Sequence, residues 1–191
     1  MPAARPLSGL LPSTVSWTRL IRDRRGVSAI EFAMIAPILI LLYVGIAEIG
    51  NALTIYRRTS TVASTAADLT AQVKTVSTSG LQDIFGASSS ILTPYDPTPL
   101  KIVLSSVVAD QNNNGKVAWS QASKGSARGT NSAYAVPAGL TEPNSSVIVA
   151  EITYAFTPLV NLTSAFSPGS FEMKRTFYAR PRRSLTVAKT N

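Results

Sequence analysis

From Val27 to Ala47 the chain runs for about 21 residues with one strongly polar member, Glu31. At a rise of roughly 1.5 Å per residue this is about 31 Å of helix, the thickness of a bilayer core. About eleven of these residues are Val, Ile, Leu or Phe, which together favour insertion by roughly 3–7 kcal/mol. Glu31 lies near the start of the run, where an acid costs less than the ~3 kcal/mol of mid-membrane. Pro37 removes one backbone donor, a defect that transmembrane helices tolerate. Beyond the run, Ile55, Val62, Ala66, Leu69 and Val73 lay an apolar stripe on one helical face, interrupted by Thr59. The pattern predicts one rod from Val27 to about Val76, with a lipid-embedded first half and an amphipathic second half. A stalk paired as a coiled coil is the alternative reading of the same stripe.

Leu81, Ile84, Phe85, Ile91 and Leu92 predict a second, short helix, bounded by Gly80 before it and by Pro94, Pro97 and Pro99 after it. The period then changes. Lys101 to Ala109 and Lys116 to Ser123 read as strands joined by the turn sequence Asp110-Gln-Asn-Asn-Asn-Gly115. Ile148, Ala150, Ile152, Tyr154 and Phe156 alternate with Val149, Glu151, Thr153 and Ala155 along a third strand. A fourth runs from Phe171 to Ala179, with Phe171, Met173 and Phe177 on one side and Arg175 as the exception. The segment 124–146 is rich in Gly, Ser, Asn and Pro and reads as a long loop or a loop with a minor strand. The predicted class is α+β: a long N-terminal helix packed on a small antiparallel sheet. Asp110, Asn112, Asn114 and Gly115 match half of an EF-hand loop, but Gln121 stands where the bidentate glutamate belongs, so a hairpin turn is the preferred reading.

Charge sets the orientation. Arg5, Arg19, Arg22, Arg24 and Arg25 precede the apolar run against one acid, Asp23, and supply about half of the net charge of +8. After the run come Glu48 and, later, Arg57 and Arg58, so the positive-inside rule keeps the N-terminus in the cytoplasm and exports the rest. A cleaved secretory signal is the alternative, although the apolar run exceeds the usual h-region and lacks a small-residue cleavage site. The chain has no Cys and no His, which removes thiolate and imidazole nucleophiles, general bases and zinc ligands. No catalytic residue or cofactor is expected.

The junction Arg24-Arg25-Gly26-Val27-Ser28-Ala29-Ile30-Glu31-Phe32 resembles a class III prepilin junction. With it come the stretch Asp83-Ile84-Phe85 leading to Pro94, the turn followed by Val117-Ala118-Trp119-Ser120, and the terminal Arg180-Pro181-Arg182-Arg183. In that order they resemble the TadE-like family over most of residues 22–184. The resemblance implies a pilin-like fold and a minor pseudopilin of the tight-adherence (Flp-type) pilus. It also implies cutting by prepilin peptidase between Gly26 and Val27, and partners among other pilins or pseudopilins and the tight-adherence secretion machinery in the inner membrane. Cleavage would place a positive α-amine at Val27 near Glu31 of the same or a neighbouring subunit. At about 4 Å such a pair interacts by about 4 kcal/mol at an effective dielectric near 20, before desolvation is subtracted. Glu31 and Phe32 then serve subunit registration. Ser28 and Glu31 equally fit a capping box that needs no partner.

The expected division is a cleaved cytoplasmic leader (1–26), a transmembrane helix (27–50), its amphipathic extension (51–78), an exported α+β domain (79–184) and a tail (185–191). Two rivals use the same anchor. One is an uncleaved membrane-anchored periplasmic module that binds DNA or an acidic surface; its basic residues Lys101, Lys116, Lys124, Arg128 and Lys174 are scattered in the sequence, so no nucleic acid is expected. The other is a tethered hydrolase, for which no spacing nominates a centre. Arg180, Arg182 and Arg183 read as a solvated end or as a partner or lipid contact.

Overall fold

The computed structural model describes residues 26–158 and 169–190. The chain divides into two units, 1–45 and 46–191. Helix α1 (Val27–Ala71) supplies the described part of the first and opens the second. In the first unit the apolar side chains face outward: Ile30, Phe32, Met34, Ile38 and Ile40 are all exposed. Pro37 sits inside the helix without ending it.

In the second unit the stripe on α1 turns inward. Ile55, Val62 and Ala66 are buried as the spacing predicts, joined by Ala63, Ala67 and Ala71. Thr59 is fully buried on the same face, its hydroxyl donating to the Tyr56 carbonyl at 2.8 Å, so it continues the stripe. A threonine that satisfies its own oxygen within the helix packs as an apolar side chain. Leu69 and Val73 are half-buried. The alanines belong to the same core cluster as the inward-facing residues of the sheet.

α1 stops at Ala71, short of the predicted Val76. Residues 75–77 instead form strand β1 (Thr75–Ser77). The returning C-terminus sets this boundary: the Arg182 amide donates to the Ala71 carbonyl at 2.9 Å and the Arg182 guanidinium pairs with Asp68. A helix end needs partners for its last carbonyls, and here the far end of the chain supplies one. Helix α2 (Thr78–Ser89) follows, capped by Ser77, whose Oγ accepts from the Gly80 amide at 3.0 Å. Gly80 therefore lies in the first turn of α2, where the expectation had it bounding the helix. A 3-10 turn, Ser90–Leu92, ends this segment.

Four antiparallel strands make the main sheet: β2 (Leu100–Ala109), β3 (Gly115–Ala122), β4 (Ser146–Phe156) and β5 (Phe171–Ala179), in the order β3-β2-β4-β5. The residues of β4 expected on one face, from Ile148 to Phe156, are all buried in the core beneath α1 and α2, with Leu81, Phe85, Ile102 and Leu104. A bulge between β2 and β3 separates two residues that plain alternation would place together. Trp119 opposes Ser106 in that core, whereas Val117 opposes Val107 in a second cluster with Val147 and Val149. Tyr134 and Val136 of the long loop pack against this second cluster.

That loop forms no strand; a bridge from Lys116 to Ala133 and backbone hydrogen bonds of Asn131, Ser132 and Tyr134 with Gly115 and Val117 hold it to β3. Gly115 permits the approach, since a Cβ there would lie 2.5 Å from the Tyr134 carbonyl oxygen. The expected tail is also built in. Val187 is buried, Trp119 Nε1 donates to its carbonyl at 2.7 Å, and β6 (Ala188–Thr190) pairs in parallel with β1. On β5 Met173 is buried, but Phe171 and Phe177 at the sheet's edge are half-exposed, against the expectation of an apolar side. Arg175 crosses toward α1, where Nε donates to Ser60 Oγ at 2.8 Å and the guanidinium lies 4.1 Å from the Tyr56 ring centre.

Candidate functional site

The start of α1 carries the residues that the junction pattern singled out. Gly26 has open space around it, Val27 is the first residue of α1, and Phe32 is exposed. Val27 and Glu31 are four residues apart, one turn along the same face and about 6 Å in rise. Ser28 lies inside the helix and the first turn contains no acid, so the capping box between Ser28 and Glu31 is not formed. A residue already inside the helix cannot act as the cap that begins it. Arg22, Arg24 and Arg25 lie outside the described residues.

No part of the most apolar stretch of α1 is buried, and the helix is long and apolar enough to cross a membrane. An exposed apolar surface this continuous needs lipid or another apolar surface to cover it. In the second unit Ile46, Ile49 and Leu53 of α1 are also exposed, and Glu48 is half-buried beside a cleft of about 320 Å³ shared with Asn51, Tyr95 and Asp96.

Three of the arginines after the apolar run, Arg58, Arg180 and Arg182, make contacts within this domain. Arg58 donates to the carbonyls of Ile91 and Thr93 and lies over the Tyr95 ring. Arg180 donates to the carbonyls of Leu140 and Gly139, and Arg182 pairs with Asp68. The Asp110 turn is equally local. Its Oδ1 accepts the Asn114 amide at 2.8 Å and the Asn112 amide at 2.9 Å. The Asn114 amide first, then those of Asn112 and the Asn114 side chain, hold this carboxyl below the usual carboxylate range. Among the described residues no group of three or more acidic side chains gathers to ligate a metal.

The basic residues that look scattered in the sequence converge. Lys101 of β2, Lys124 and Arg128 of the loop, and Lys174 of β5 line one groove of about 560 Å³ on the sheet face away from α1. Thr153 stands between Lys101 and Lys174 in a single cross-strand row. Arg128 makes a two-pronged pair with Glu151, both bonds 2.6 Å, and stacks 4.7 Å over Tyr134. That pairing raises the Arg128 pKa further above its ordinary value. The only advance signal was the alternation of β2 and β4, which puts Lys101 and Thr153 on one face.

An α+β domain whose leading helix carries an apolar, unburied stretch of membrane length fits a single-pass membrane anchor. Residues 26–68 match the family model of the TadE-like proteins, the family that the junction and the later motifs together resemble. No curated protein and no solved structure matches the chain.

Proposed function

We propose that this chain is a minor pseudopilin of a tight-adherence pilus, a structural subunit without catalytic function. The observation that carries the reading is the coincidence of the family match at 26–68 with a helix that begins at Val27 and whose most apolar stretch is unburied. In this reading prepilin peptidase removes the leader between Gly26 and Val27, and α1 remains as the membrane anchor. Arg22, Arg24 and Arg25 hold the leader in the cytoplasm and the 79–184 domain faces the periplasm. Subunits, including other pilins or pseudopilins of the secretion machinery, pack through the exposed faces of their helices. Glu31 faces a freed α-amine on Val27, its own or a neighbour's, and this pairing sets the axial register, with Phe32 filling the adjoining contact.

The test is Glu31→Ala in cells that make the pilus. Membrane insertion should be unchanged, because one acid near the start of the apolar run is removed, while piliation should fall sharply. Normal piliation in this variant would remove the registration role.

A further inference from the structure

The groove lined by Lys101, Lys124, Arg128 and Lys174 has no role in helix-mediated assembly, and its four cations face one lining carboxylate, Glu151. The chain's own contacts there show which anion it accepts. Arg128 holds the Glu151 carboxylate, and Lys174 holds Glu172 at 2.9 Å in an exposed pair. Lys124 donates to the Thr98 carbonyl. Lys101 is exposed, makes no hydrogen bond or ion pair among the described residues, and acts on the Glu172 carboxylate through its charge alone. Lys101 and Lys174 stand two strands apart in one row, roughly 10 Å at the usual strand spacing.

We propose that this groove docks an acidic segment of a partner protein in extended form, its carboxylates meeting Lys101, Lys174 and Lys124. Two features select a peptide over other polyanions. Nucleic acids gain much of their single-strand affinity from aromatic platforms, and the groove's lining has none; the nearby Tyr134 ring is covered by Arg128. The chain's own use of the groove is the second: its one guanidinium, Arg128, holds a carboxylate there, that of Glu151, in two-pronged fashion. In an extended peptide alternate side chains repeat every ~6.6–7 Å on one face, a spacing that long acidic side chains adapt to a lysine row on a sheet.

The test uses full-length protein in a neutral detergent and fluorescence anisotropy of a labelled peptide of alternating Glu and Ser. The peptide should bind at about 50 mM salt and weaken strongly at about 300 mM. The double variant K101Q/K174Q should weaken binding by roughly 2- to 25-fold, as expected for loss of two exposed ion pairs. K116Q, an exposed lysine outside the groove, should leave it unchanged. No binding at low salt, an equal loss in K116Q, or tighter binding of oligo-dT or of an oligogalacturonate would each overturn the proposal.

Discussion

Replacing Trp119 with Phe tests how the C-terminus is tied to the domain. Trp119 is nearly buried, and its Nε1 donates at 2.7 Å to the carbonyl of Val187, which lies in the core just before β6. Phenylalanine keeps most of the ring but removes the donor. The stranded carbonyl costs about 1–3 kcal/mol, and the smaller ring adds about 1 kcal/mol of lost packing. The whole loss is thus about 2–4 kcal/mol, or roughly 6–12 °C in Tm for a domain of this size. The effect should also be uneven. Among the described residues β6 pairs only with β1, so amide exchange at residues 75–77 and 188–190 should speed up well before exchange in β2 and β4 changes. Calorimetry and hydrogen exchange on full-length protein in micelles would check both. A Tm within about 1 °C of the parent, or a uniform rise in exchange, would refute the claim that this bond ties β6 to the sheet.

Gly115→Ala should destabilise by about 1–3 kcal/mol, because its Cβ would sit 2.5 Å from the Tyr134 carbonyl and push the loop off the second core; a neutral result in thermal denaturation would contradict that packing. The Asp110 carboxyl has a lowered pKa, so the stability it contributes is present above the unfolded-state value, near 3.9, and is lost as pH falls through its lower folded value. Between pH 5 and pH 2 the denaturation midpoint should therefore fall more steeply in the parent than in Asp110→Asn, and equal slopes would count against the amide contacts.

Much of the fold is legible in the sequence where one periodicity rules one element. The apolar helix starts at Val27, and β5 occupies 171–179, because nothing distant competes with the local pattern there. What was illegible depends on residues far apart in the chain. α1 ends at Ala71 because Arg182 returns to it, and 75–77 become a strand because 188–190 lie beside them. Thr59 reads as a break since polarity is a property of the residue, while its satisfied hydroxyl is a property of the helix. The bulge that sends Val117 and Trp119 to different cores leaves the alternation of β3 unmarked. At the candidate site, the junction residues lie within one short stretch and could be read directly. The basic groove could not, because its four cations come from two strands and a loop that only folding brings together.

The central claim is that the apolar helix stays with the protein after its leader is removed. Intact-mass spectrometry of the protein extracted from membranes of cells that contain prepilin peptidase tests this most directly. The account predicts a mature chain that begins at Val27 and retains α1. A chain that has lost the 27–47 segment, or one that still begins near Met1, would contradict it.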